Sequence, residues 1–383
     1  MIKYTKINFS KEGIVMDREL FVFAGQSNMV GGCTLPPKKK IDVKNSYEYK
    51  YKPRIFGAKS GDFVKAGYPV GEYIYMDNSV AYSKDMVDKE GKSKLNDHAK
   101  NAHFTSSMRN LKSKKDKSVI MFKELSESTA KCAPSLAPLL ASEWEKLGYS
   151  SAYAHIAKGG VSITHYLNED MWNEYVKRIS AYNKAHGTNY DETPPTPNAK
   201  YPAWDCFFEK CKYFFEDAKK RFDGDNLTSR SLIWLQGESD AGSSAVQYEI
   251  KLSVFWEELK KIGFTHFFVV RVDYFGSNGI LNVMQAQEDF AKKYNDAYIL
   301  TRSCSYMTHP SQSEVENEWF IYPPTKTYRN CRDSYFGYDN HHINEKGFKL
   351  IAKRSAKNLN RVLKQNTRPI LEKELVRGLV KQK

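Results

Sequence analysis

The sequence predicts an α/β fold, a three-layer α/β/α sandwich around a central parallel sheet. Three observations carry that prediction. Five apolar runs of strand length recur, and they are nearly continuous rather than alternating, as strands covered on both faces are. Between them lie stretches with apolar residues every three or four positions, the period of amphipathic helices. Alternation of the two implies right-handed βαβ units with helices above and below the sheet.

The strand candidates are residues 20–24 (LFVFA), 152–157 (AYAHIA), 231–235 (SLIWL), 267–272 (FFVVRV) and 297–300 (AYIL). Helical periods run over 135–147, 204–222, 244–262, 280–294 and 345–363. The first opens on Ser135, a capping residue type, and stops at Gly148. The second carries Phe207, Phe208, Cys211, Phe214, Phe215 and Ala218 as one stripe. Residues 33–130 are rich in Lys, Tyr, Gly and Asn with little helical period, and 305–337 are similarly irregular. Both read as loop insertions beside the functional site, since long irregular connections in a compact domain are usually lids or binding loops. Residues 183–203, with TPPTP, read as a further loop. The expected organisation is an extension over 1–18, one catalytic domain over 19–365, and a tail over 366–383 that forms a terminal helix or extends freely.

A chain of 383 residues, 41% hydrophobic, can bury a large core. No run approaches the roughly 18 apolar residues that span a bilayer, and the first twenty residues lack the apolar stretch of a secretory signal. The expected location is the cytoplasm. The formal charge of +14 suits an anionic partner, but it fits a lysine-rich composition equally well. The densest basic stretch (Lys112, Lys114, Lys115 and Lys117) is short, and no nucleic-acid module accompanies it. The six cysteines are scattered without zinc spacing and read as buried thiols. No metal or other cofactor is expected, and the sequence does not fix an oligomeric state.

Four segments carry chemistry. In 23–29 (FAGQSNM) a strand ends and a small residue turns the chain to present Ser27, where parallel sheets place their ligand crevice. Helix capping explains this serine equally well. In 157–162 (AKGGVS) two glycines let backbone N–H groups approach a ligand, so Gly159 or Gly160 is a candidate oxyanion donor, with a tight turn as the plain alternative. In 234–241 (WLQGESDA) Gln236 can offer a side-chain amide to the same crevice. Glu238 and Asp240 are candidate bases there, or residues that cap and brace. In 337–347 (GYDNHHINEKG) Asp339 and His342 are three apart before the last helix. A carboxylate so placed fixes the imidazole tautomer and leaves the other nitrogen to deprotonate a serine. His341 is the rival base, and Asn344 is the natural cap of the helix behind.

The segments GQSNM (25–29), AKGG (157–160), WLQGESDA (234–241) and DNHH (339–342), in this order, resemble the SGNH hydrolases. Within them the resemblance is to the sialate O-acetylesterase and family 6 carbohydrate-esterase branch, which YPVGE (68–72) and QAQED (285–289) also resemble. It spans about residues 19–363 and implies a flavodoxin-like sheet. It also implies Ser27 as nucleophile, His342 as general base and Asp339 as its orienter. The Ser27 N–H, Gly159 or Gly160, and Gln236 would form the oxyanion hole. Gln26, Asn28, Glu238 and Asp240 would bind substrate or brace the catalytic groups. The implied reaction removes O-acetyl groups from a carbohydrate, sialic acid or a polysaccharide, without a cofactor. Three alternatives remain open at this point: an acyltransferase on the same scaffold, a carbohydrate-binding protein without turnover, and a lipid esterase or thioesterase. Substrate choice is expected to lie in 33–130 and 305–337, which match the family poorly.

Overall fold

The computed structural model describes residues 9–10, 13–31, 41–51, 61–67, 135–157, 159–191, 207–272, 278–308 and 342–372. A two-residue hairpin, β1 (Phe9–Ser10) and β2 (Gly13–Ile14), precedes the main sheet. The chain then runs β3 (Asp17–Gly25), α1 (Ser27–Val30), β4 (Tyr47–Tyr51), β5 (Gly61–Lys65), α2 (Leu136–Lys146) and β6 (Ser150–Ala157). A 3-10 turn (Ile163–Tyr166) leads into α3 (Glu169–His186), α4 (Phe207–Arg221) and β7 (Asn226–Leu235). A second 3-10 turn (Glu238–Asp240) leads into α5 (Ala245–Lys261), β8 (His266–Val270), α6 (Asn278–Lys293), β9 (Ala297–Thr301), α7 (Ser303–Thr308) and α8 (Glu345–Leu363).

The main sheet has seven strands in the order β5-β4-β6-β3-β7-β8-β9, and only the β4–β5 pair is antiparallel. All five strands expected from the apolar runs are present. They are parallel and form the contiguous block β6-β3-β7-β8-β9. Two strands differ from expectation. β4 and β5 fall inside 33–130, which reads as irregular, and they extend the sheet edge beyond β6. Tyr49 and Phe63 pack there against Phe214 of α4. The alternation of apolar and polar residues in YEYKY is short and closed by Lys, so it is a weak signal.

Strand register assigns the two faces. Phe21 lies beside Tyr153 and Phe23 beside Ile233, and Phe21 meets Trp144 of α2 edge to face. On the opposite face, Trp234 lies beside Ala24 and Val269 and touches Phe255 of α5. Phe267 on that face meets Trp256 of α5 and Phe290 of α6. Helix α2 packs with α8, while α5 packs with α3 and α6. These large side chains are essentially sealed from water, each contributing about 1.5–3 kcal/mol by burial. Among the described residues, no helix is long and apolar enough to cross a membrane.

This strand order fixes where a ligand can bind. From β3 the chain builds β4, β5 and β6 on one side, then crosses to β7 on the other. The carboxyl end of β3 is therefore the switch point, where the loops leaving the neighbouring strands diverge and open a crevice.

Candidate active site

Three of the four chemistry-bearing segments begin at that switch point. Ser27 follows β3, Gly159 and Gly160 follow β6, and Gln236 to Asp240 follow β7. The fourth segment enters at its end, because His342 immediately precedes Ile343, which is bonded to the loop after β3. Asp339 and His341 lie outside the described residues, as do Lys158 and most of 33–130 and 305–337.

The turn into Ser27 is made by Gly25. Its φ is +149°, and a side chain there would collide with the Leu235 carbonyl, so only glycine fits. Gln26 caps α1 backbone-wise, accepting from the N–H groups of Met29 (2.8 Å) and Val30 (2.9 Å). Ser27 is thus the first residue of the short helix rather than its cap, which removes the capping explanation. Its hydroxyl and its N–H make no hydrogen bond with a described residue, nor do the N–H groups of Gly159 and Gly160. Gly159 faces Ser27 directly: a Cβ on Gly159 would sit 3.7 Å from the serine Cβ.

Asn28, the next residue, is buried and ties two loops together. Its Oδ1 accepts from the Ile343 N–H (2.9 Å), and its Nδ2 donates to Glu238 Oε1 (2.8 Å). The other Glu238 oxygen is sealed from water and has no hydrogen-bond partner among the described residues. Burial raises the Glu238 pKa above the ordinary value, while the Asn28 bond and the nearby His342 act in the opposite direction. Glu238 and His342 are therefore electrostatic neighbours.

Gln26 and Asp240 brace the loops. The Gln26 side-chain oxygen accepts from the Ser239 N–H (3.2 Å). Asp240 Oδ1 takes the Ser162 hydroxyl (2.6 Å), and Oδ2 takes the Ile163 N–H (2.8 Å) and Gln236 Nε2 (2.6 Å). Asp240 thereby locks the loop after β6 to the loop after β7, and its oxygens are committed to that task. The geometry of Gln236 departs from the oxyanion-donor expectation. Its amide nitrogen donates to Val161 O (3.0 Å) as well as Asp240, and its amide oxygen accepts from the Tyr248 hydroxyl (2.8 Å). Both amide hydrogens are occupied and the side chain is fully buried, so Gln236 acts as an internal brace. No sequence signal separates a glutamine that faces the crevice from one that faces the loop beneath it.

The sequence reading missed two further residues. Gln287 on α6 is buried, donates to the Gln236 carbonyl (2.8 Å) and accepts from the Val272 N–H (3.1 Å), tying the ends of β7 and β8. It lies inside QAQED, so its segment was visible though its role was not. Tyr166 holds the backbone of Gly25. Among the described residues, no group of three His, Cys, Asp or Glu side chains converges as metal ligands would.

No family model matches the chain, and no curated protein matches it. Among solved structures it is similar to a carbohydrate acetylesterase from Xanthomonas citri, with 12% identity, a TM-score of 0.44, and 92% of this chain on 57% of that one. It is also similar to a protein from Arabidopsis thaliana (12%, TM-score 0.41, 89% of this chain on 97% of that one). A third likeness is to NanS (12%, TM-score 0.42, 92% of this chain on 99% of that one). The chain spans little more than half the length of the first.

Proposed function

We propose that this protein is a serine esterase that removes an acetyl group from a hydroxyl of a carbohydrate. The observation that carries the reading is the Asn28 bridge. Residue 27 and residue 342 each lie one position from a shared hydrogen bond, the Asn28–Ile343 contact. This neighbourhood supports a reading in which a hydroxyl from the start of the domain and an imidazole from its end meet at the switch point of the sheet. The N–H groups of Ser27, Gly159 and Gly160, just beyond the ends of β3 and β6, have no hydrogen-bond partner among the described residues. Such donors suit a developing oxyanion, because they are already oriented before charge appears.

In this reaction Ser27 Oγ attacks the ester carbonyl and His342 accepts the serine proton. The tetrahedral intermediate collapses, and the sugar alcohol leaves with that proton. Water then attacks the acetyl-serine, giving up a proton to His342, and acetate leaves as Ser27 regains its hydrogen. Asp339 orients the imidazole in this scheme, with Glu238 a second carboxylate in its field. The N–H groups of Ser27, Gly159 and Gly160 make up the oxyanion hole, with Gln236 bracing the loops around it. The carbohydrate assignment rests on the sequence motifs, and the esterase assignment on the chemistry at the rim.

Ser27→Ala tests the reading. Acetate release from p-nitrophenyl acetate and from O-acetylated glycans should be lost while circular dichroism and melting temperature stay at wild-type values. Turnover by the alanine variant equal to the wild type would end the nucleophile assignment.

A further inference from the structure

Tyr166 ends the 3-10 turn that follows the glycine loop, and its phenol oxygen makes a paired contact with one residue. It donates to the Gly25 carbonyl (2.8 Å) and accepts from the Gly25 N–H (3.0 Å). The next residue shows which way those groups point. The Gln26 N–H donates to Leu235 O of β7 (3.1 Å). Successive peptide groups of a strand face opposite neighbours, so the N–H and C=O of Gly25 face β6. Gly25 lies beside Ala157, the last residue of β6. The hydroxyl therefore binds Gly25 at the last registered pair of the β3–β6 ladder, where both strands end. Two positions beyond each end stand Ser27 and Gly159.

From this we propose that the Tyr166 hydroxyl is a wedge set at the last pair of the β3–β6 ladder that fixes the gap between Ser27 and Gly159, making Tyr166 a positioning residue for attack at Ser27. One hydroxyl offers Gly25 both a donor and an acceptor where the ladder runs out, so its buried backbone groups stay paired as the two strands part. The ring is held rigidly for this purpose. It is 2% exposed and packed edge-on against Phe207 (5.3 Å) and Trp234 (4.8 Å), with Phe255 at 5.5 Å. Burial holds the phenol well above its ordinary pKa, so it remains a donor across the working pH range. The kinetic half of the proposal rests on the esterase reading above. The structural half does not.

Tyr166→Phe deletes the hydroxyl and keeps the ring. Amide hydrogen exchange should then accelerate at Gly25 by about tenfold or more while Val22 and Phe23 stay protected. Turnover of p-nitrophenyl acetate should lose about 10- to 100-fold in kcat with KM little changed, the usual cost of misplacing a reacting group by a fraction of an ångström to an ångström. Phe255→Leu is the control. It loosens the same aromatic cage but spares the hydroxyl bonds, so it should lower the melting temperature yet keep kcat within about threefold of wild type. Unchanged exchange at Gly25 overturns the wedge. A Tyr166→Phe enzyme with wild-type kcat and only a lower melting temperature overturns the positioning role. Exposure of Gly25 in a protein whose wild type hydrolyses no ester upholds the wedge and removes the esterase reading alone.

Discussion

At the scale of single residues, Asn28 ties the loop after β3 to two distant segments, because one amide serves both. Deleting it orphans the Ile343 N–H and one oxygen of Glu238, whose other oxygen is already unpartnered among the described residues. Each buried group left so costs about 1–3 kcal/mol. Asn28→Ala should therefore lower the melting temperature and reduce ester turnover by about 10- to 100-fold. Asn28→Asp should be worse at neutral pH, since it sets a carboxylate against Glu238, and should recover partly on acidification. Thermal unfolding and p-nitrophenyl acetate turnover over a pH series check both. Wild-type turnover in the alanine variant would remove the bridge from the mechanism. The identity of this residue was plain in GQSNM, but its partners were not. They lie 210 and 315 positions away in the chain, and no local pattern encodes contacts at that range. Gln236 teaches the converse lesson. Its position at a strand end was read correctly, while the direction of its amide depends on Val161, Asp240 and Tyr248, which only the fold assembles.

At the scale of elements, the long periodic segments were the legible ones. Helix α8 coincides with its expected bounds, and Asn344 caps it by accepting from the Gly347 N–H (3.0 Å). Helix α3 was missed. Its mean hydropathy is low, and only Met171, Tyr175 and Ile179 are buried, so its apolar stripe is too thin to stand out. Its last residues were instead read as the start of a loop. After α8 the chain turns back at Asn366, which has a positive φ of 51°, and runs as a strap to Glu372, the rest of the expected tail lying outside the described residues. Asn358 clamps the strap at Ile370 through both its N–H (2.9 Å) and its carbonyl (3.0 Å). Glu372 then docks at the end of β9, accepting from the Thr301 hydroxyl (2.6 Å), the Ser303 hydroxyl (2.8 Å) and the Arg302 N–H (2.7 Å). Burial pushes the Glu372 pKa up, but these bonds outweigh it and leave the carboxyl below the ordinary value. A lowered native pKa gives stability that is present above the unfolded pKa and lost as pH falls through the native one. Glu372→Gln should therefore melt at a lower temperature than wild type at pH 7, and the gap should close as the pH falls below the ordinary carboxylate range. Calorimetric scans at a series of pH values measure that gap, and a constant gap would take Glu372 out of the strap's anchoring.

At the scale of the whole molecule, the sequence revealed the five parallel strands β6, β3, β7, β8 and β9 but neither their order nor β4 and β5 at the edge. Continuous apolar runs mark parallel, doubly covered strands, and the handedness of βαβ units restricts their arrangement. The reversal at β3 becomes visible only when β6 and β7 are placed on its two sides. That reversal brings three of the motifs to neighbouring strand ends, and the Asn28–Ile343 bond brings the described end of the fourth beside them. Charge is the other property of the whole, and its meaning is testable because screening length can be varied. A net +14 attracts anions over about 30 Å at 0.01 M salt but only about 8 Å at 0.15 M. If the field guides an acidic sugar to the rim, kcat/KM for an O-acetylated sugar bearing a carboxylate should fall roughly tenfold between those salts, within the usual range of electrostatic steering. The value for p-nitrophenyl acetate, which is neutral, should stay level, so a general effect of salt on the enzyme is separated from steering. The loss should appear in kcat/KM and leave kcat untouched, because screening slows encounter and does not alter the bound complex. Equal salt response for the two esters would show that the lysines reflect composition alone and that substrate choice resides in short-range contacts at the crevice.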